Sequence, residues 1–95
     1  IPIMYVRVNI LKFSSKIDAD AMKALAKYEM INTLKGLLSI EVISINETNS
    51  VAILKFATKE DAENSKPVYI EQMKQNSNIR VEIHEGKREF IVEKS

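Results

Sequence analysis

Met4-Tyr5-Val6-Arg7-Val8-Asn9-Ile10-Leu11-Lys12-Phe13 is a run of β-branched and aromatic residues broken by single polar ones, the composition of a strand. Side chains alternate between the two faces of a strand. One face here carries Met4, Val6, Val8 and Ile10, all apolar; the other carries Tyr5, Arg7, Asn9, Leu11 and Phe13, a mixed row. Apolar content on both faces predicts a central strand with something packed on each side of its sheet.

Working outward, Ser14-Ser15-Lys16 is a short polar connection. Asp18 is the expected N-cap of a helix reaching to about Lys35, with Asp20 in its first turn and Ile17 and Met22 placed to form a hydrophobic staple. Ala21, Leu25, Tyr28, Ile31 and Leu34 give that helix its expected apolar face, and Gly36 its left-handed stop. Residues 37–45 read as a strand in which Leu38, Ile40 and Val42 alternate with Ser39 and Glu41. The polar turn Asn46-Glu47-Thr48-Asn49-Ser50 leads into a strand over 51–56, which makes an antiparallel hairpin.

Thr58 and Asp61 resemble a capping box, and Pro67 is expected to divide the helical region into two pieces, 59–65 and 67–75. Asn76-Ser77-Asn78 should end it. Ile79, Val81 and Ile83 then alternate with Arg80, Glu82 and His84 in a strand, and Glu85-Gly86-Lys87 is read as a turn into a last strand over 88–93.

The order β-α-β-β-α-β predicts a single α+β domain over residues 1–95, a ferredoxin-like antiparallel sheet with helices on one face. Its opposite face would be left apolar, with Leu11, Ile43 and Ile45 in need of cover. A second copy of the chain is the expected cover, so self-association as a homodimer is predicted.

Three stretches carry a family resemblance: Gly36-Leu37-Leu38-Ser39-Ile40-Glu41-Val42, Lys55-Phe56-Ala57-Thr58-Lys59-Glu60-Asp61-Ala62, and Ser65-Lys66-Pro67-Val68-Tyr69. They resemble the strand entry, strand-to-helix cap and proline-bearing helix of antibiotic-biosynthesis-monooxygenase-like proteins. That resemblance implies a dimeric α/β barrel, a superfamily that includes cofactor-independent oxygenases of aromatic substrates, haem-degrading enzymes and many proteins without an assigned activity. The haem-degrading branch carries an asparagine on the first strand, which Asn9 matches. Phe56 stands where that branch has a tryptophan, and Met73 where it has a haem-ligating histidine. No cofactor is therefore expected.

Composition narrows the choices. Fourteen basic and thirteen acidic residues, well mixed, give a net charge of +1 and no stripe for tracking phosphates or an anionic membrane. The strand Val51-Ala52-Ile53-Leu54-Lys55-Phe56 has one aromatic residue, short of the stacking set of RNA-recognition domains. Ser14-Ser15-Lys16 lacks the glycine usual at that point of amino-acid-sensing modules. With no cysteine, disulfides and thiolate chemistry are absent, which fits the reducing cytoplasm expected here. No apolar run approaches the ~18–20 residues of a membrane span, and Ile1-Pro2-Ile3-Met4 has no leader pattern. Two glycines cannot make a phosphate-binding loop.

Asn9 is the expected catalytic or substrate-orienting residue, since a buried amide offers both donor and acceptor; the plain alternative is an amide bonded to its neighbours. Arg7, on the same face, is a candidate for a substrate anion or for pairing with a carboxylate. Phe56, Tyr69 and Met73 are candidates for lining a cleft suited to a flat molecule, or ordinary core. His84 is read as an exposed strand residue, and no metal is expected. Two functions follow: a cofactor-independent oxygenase-like enzyme acting on a small aromatic or apolar molecule, or a non-catalytic ligand-binding or stress-associated dimer.

Overall fold

The computed structural model describes residues 4–74 and 79–95. Strand β1 (Tyr5–Phe13) leads into α1 (Lys16–Leu25), which continues through a π-helical turn (Ala26–Met30) into α2 (Ile31–Thr33). Then come β2 (Leu37–Ser44), β3 (Asn49–Phe56), α3 (Lys59–Lys74) and β4 (Ile79–Lys87). The sheet is antiparallel with strand order β2-β3-β1-β4, so the two-faced strand lies inside it. This is the ferredoxin-like α+β architecture, with the helices over one face. The polar stretch 76–78 and the first three residues lie outside the described residues.

Alternation divides the sheet cleanly. Arg7, Asn9, Leu11 and Phe13 of β1 and Ser50, Ala52, Leu54 and Phe56 of β3 are all buried beneath the helices. Ile40 and Val42 of β2 and Ile79, Val81 and Ile83 of β4 pack against the same core. The complementary rows, Val6, Val8 and Ile10 with Val51, Ile53 and Ile43, turn to the uncovered face. Leu11 therefore belongs under the helices rather than on the face needing cover; Ile43 and Ile45 are exposed as expected, at 43% and 62%.

The first helix starts earlier than its sequence suggests. Ser15, not Asp18, is the N-cap: its hydroxyl accepts from the Asp18 amide at 3.2 Å, while the Asp18 carboxylate accepts from the Ser14 hydroxyl. Ile17 thus falls inside the first turn, 80% exposed, and no staple forms. The buried face is Ala19, Met22, Ala26, Met30 and Leu34, and Tyr28 points outward. Four-residue spacing overshoots a 3.6-residue helix by about 40° per turn. A wider π turn takes up that overshoot in mid-helix, which a 3.6-residue period does not foresee.

In β2 a register shift between Leu37 and Ser39 turns Leu38 out of the inward row that Ile40 and Val42 keep. Pro67 sits within an unbroken α3 rather than between two helices. Proline cannot donate to the carbonyl four residues back, which loosens the surrounding turn. In that turn the Ala62 carbonyl accepts from the Arg7 guanidinium at 2.6 Å and from the Ser65 hydroxyl at 2.8 Å. The expected turn at residues 85–87 is also absent. β4 runs straight through them with Glu85 opposite Arg7 and Gly86 opposite Val6, because the extended path lets the Glu85 carboxylate meet Arg7. Residues 88–95 lie in neither helix nor strand.

Gly36 has φ +77°, and a Cβ there would collide with the Asp61 side chain at the start of α3. Gly36→Ala is expected to cost at least about 1–2 kcal/mol from the left-handed backbone alone. Adding Asp61→Gly should recover only the steric part. Urea denaturation of the single and double variants measures both components.

Candidate functional site: a buried polar strip and its slot

Arg7 is wholly buried at the centre of the sheet–helix interface. Its guanidinium carbon lies 5.0 Å from the centroid of the Phe56 ring and 5.8 Å from that of Tyr69, so two aromatic faces flank the charge. Nη2 donates to the Ala62 carbonyl and Nε to Glu85 at 3.3 Å. Glu85 also accepts from Lys66 at 2.9 Å. Burial pushes the Glu85 carboxyl up, but the Lys66 hydrogen bond and the Arg7 charge outweigh that and hold it below the usual carboxylate range. Arg7 thus shares the single carboxylate of Glu85 with Lys66.

Two residues along β1, Asn9 donates from Nδ2 to the Tyr69 Oη at 2.6 Å, and both side chains are buried. Burial pushes the Tyr69 phenol up to about 12, against the smaller opposing effects of Asn9 and Arg7. Tyr69 is therefore a neutral hydrogen-bond donor at ordinary pH. Asn9 Oδ1 and Ser50 Oγ are buried without a partner. An unpaired buried acceptor or hydroxyl costs about 1–3 kcal/mol; of the two, Ser50 lines a cavity.

Tyr69 and Ser50 line an otherwise largely apolar slot between β1, β3 and the first helix, whose walls include Leu11, Met22, Ala26 and Met30. The centre of a water molecule has about 20 Å³ of freedom inside it. Lys23, Ala26, Ile40 and Val42 also line a broader groove of ≈ 390 Å³ that opens outward between the π turn and β2. Slot and groove are thus an inner and an outer chamber sharing one wall. Methionine is the side chain best able to re-pack around a guest. Met22 and Met30 stand on the helix side of the slot.

Of the residues singled out by sequence, Arg7, Asn9, Phe56 and Tyr69 form one contiguous strip. Met73 lies one turn beyond Tyr69 and faces a separate groove over β4, with Ile79, Val81 and Ile83. His84 is exposed on the open sheet face, 3.3 Å from Glu82. Sequence reasoning passed over Glu85, placed in a supposed turn, and Ser50, assigned to the β2–β3 connection. The readable signal for Ser50 was its parity with Ala52, Leu54 and Phe56: a hydroxyl in an otherwise apolar inward row. Among the described residues, no three His, Asp or Glu side chains gather as a metal-binding group, and no helix is long and apolar enough to cross a membrane.

A four-stranded antiparallel sheet with helices on one face defines the architecture as ferredoxin-like. No protein-family model matches the sequence, and no curated protein matches it significantly. Solved structures match closely in fold. The cofactor-independent oxygenase SnoaB of Streptomyces nogalater superposes with a TM-score of 0.76 at 9% identity, covering 96% of this chain and 98% of that one. A dimeric ferredoxin-like protein from an uncultured marine organism gives 0.73 at 13%, covering 98% and 94%. A Streptomyces coelicolor monooxygenase, solved in complex with nanaomycin D, gives 0.71 at 13%, covering 99% and 95%. The ferredoxin-like fold read from the sequence is the fold found.

The raised Tyr69 pKa ties to stability with a definite sign. Above pH ~10 the unfolded chain releases this proton while the folded one keeps it to about 12, so the unfolded state binds fewer protons and stability falls across that window. The loss should be about 2–3 kcal/mol. Tyr69→Phe should show a correspondingly shallower decline in urea midpoints measured from pH 9 to 12.

Proposed function

We propose that this protein is a homodimer, each subunit of which holds a small, flat, aromatic or apolar molecule in the slot between helices and sheet. The observation that carries the reading is the slot's lining: Tyr69, a neutral phenol bonded to the buried Asn9, and Ser50, a buried hydroxyl without a partner, among otherwise largely apolar walls. As it stands the slot has room for about one water, so a ring system is received only as Met22 and Met30 re-pack, one of its oxygens then being fixed by hydrogen bonds. The molecule enters from the outer groove as Met22 and Met30 re-pack. Arg7 and Phe56 act as positioning residues: the guanidinium orders Tyr69 and Glu85 from behind the site and is itself fully engaged.

The oxygenase chemistry suggested by the structural neighbours fits this lining in one specific way. The slot walls, as described, hold no carboxylate or imidazole. A substrate turned over there would have to be acidic enough at carbon to deliver its own electrons to dioxygen. Its activated CH₂ would then become a carbonyl, with the second oxygen atom leaving as water. Tyr69 would donate to the enolate oxygen as charge develops there. The same lack of a neutral-range acid or base supports a second reading, a dimer that binds such a molecule without transforming it.

Dimerisation rests on the uncovered face. Val6, Val8, Ile10, Val51, Ile53 and Ile43 make a contiguous apolar strip across three strands, bordered by Lys12, Lys55, Glu41, Arg80 and Glu82. A copy related by a two-fold axis would cover the strip with its own and let the mixed charges interleave.

Light scattering across micromolar dilution should give twice the chain mass, and Val8→Asp should give one chain mass with the fold retained by circular dichroism. Titration with a panel of hydroxylated polycyclic aromatics should find a binder. Asn9→Ala should weaken that binding by at least about tenfold, one lost hydrogen bond to a positioned group, with the dimer unchanged. Unaltered affinity would clear Asn9 of a role, and dioxygen uptake with the bound compound separates turnover from binding.

A further inference from the structure

The four strands bring their outward residues into level rows on the uncovered face. Across β2, β3, β1 and β4, one row reads Glu41, Ile53, Val8, His84 and the next Ile43, Val51, Ile10, Glu82. His84 is the chain's single histidine. Its Nε2 lies 3.3 Å from the Glu82 carboxylate, and both side chains are more than half exposed in the isolated subunit. The apolar centre of the face, Val8, Ile10, Val51 and Ile53, is thus flanked on its β4 side by a histidine–carboxylate pair and on its β2 side by Glu41.

Sheets packed face to face are about 10 Å apart, a gap that a histidine and a glutamate extended toward each other can bridge. A two-fold axis lays this apolar centre on its own copy in two ways. An axis along the strands, between β3 and β1, sets Ile53 on the partner's Val8 and His84 on the partner's Glu41. An axis across the strands, between the two rows, sets Val8 on the partner's Ile10 and His84 on the partner's Glu82. In either arrangement each His84 gains a carboxylate from the second chain besides its own Glu82, and symmetry provides the contact twice.

The cations of this face are farther away. Arg80 and Arg88 are each four residues from His84, about 13 Å in extended chain. Lys12 is level with Arg80, and Lys55 is level with Gly86 but two strands removed from β4. With the axis along the strands, the partner's Lys55 falls over Val6, a diagonal step away from His84. Carboxylates are therefore the nearest charged groups on both sides of the histidine.

We propose that the dimer is proton-linked: protonation of His84 places a cation between carboxylates of the two subunits, so that acidification from pH 8 to pH 6 tightens association. This rests on the dimer proposed above and adds its regulation. The sign follows from the charges. With His84 neutral, carboxylates of both chains approach each other on a face that association drains of water, and they repel. With His84 charged, each of them meets an opposite charge. The dimer then binds more protons than two free subunits do, and mass action favours it as protons are added. Histidine is the side chain whose ordinary titration falls in this window. Tyr69, pushed up to about 12, and Glu85, held below the usual carboxylate range, titrate outside it.

Sedimentation equilibrium at pH 6, 7 and 8 tests the linkage. The dissociation constant of the wild type should fall at least about tenfold from pH 8 to pH 6, two equivalent contacts each strengthening association about threefold. His84→Gln, at an exposed position, should keep its fold by circular dichroism and give one dissociation constant across the range. Glu41→Gln combined with Glu82→Gln should flatten the profile as well, with the histidine still in place. A wild-type dimer whose affinity is flat with pH or weakens on acidification, or a pH dependence that survives His84→Gln, overturns the proton linkage while the sheet-face dimer stands. A wild type that sediments as one chain mass at every pH and concentration overturns both.

Discussion

The buried guanidinium of Arg7 is the constraint around which the remaining elements are arranged. Removing such a charge from water costs several kcal/mol even after relaxation. The fold meets that cost by converging four elements on one point: Phe56 from β3, Tyr69 and the Ala62 carbonyl from α3, Glu85 from β4, and Arg7 itself from β1. Each contact fixes a relation between elements distant in sequence. Pairing of Arg7 with Glu85 keeps β4 straight where its sequence suggests a turn. The acceptor at Ala62 sits in the helical turn that Pro67 loosens. The carbonyl that Pro67 leaves without its helical donor is that of Glu63, next to Ala62, and the helix continues through both.

That arrangement also holds the Asn9–Tyr69 pair in place. A phenol stacked beside a permanent cation and bonded to a neighbouring amide has few conformations open to it. Pre-organisation of this kind is what makes a hydrogen-bond donor effective toward developing charge. Desolvation, meanwhile, keeps the phenol protonated. Arg7 itself is fully buried, flanked by the Phe56 and Tyr69 rings.

Much of this was legible in the sequence because strand periodicity is short and strict. The alternation of residues 4–13 assigned Arg7 and Asn9 to one face and Val6, Val8 and Ile10 to the other, and the element order gave the topology. What escaped the sequence depends on contacts it does not display. The π turn answers a four-residue burial repeat that only the packed helix reveals. The bulge at Leu38 and the straight passage through Gly86 are imposed by cross-strand partners, against local turn and alternation signals. Ser50 was hidden for a simpler reason: a serine beside asparagines reads as a turn, whereas the ladder extends to Asn49 and carries it inward.

The same parity that makes β1 readable gives it two separable tasks. Odd-numbered residues build the slot and even-numbered ones the uncovered face, so the site and the association surface are back to back on one strand, a peptide's thickness apart. A second copy over the even-numbered row, as proposed, would brace the sheet whose odd-numbered row sets Arg7, Asn9 and Leu11 beneath the helices. A small domain has little surplus core with which to hold such an arrangement unaided. Association and site geometry are in this sense one structural problem.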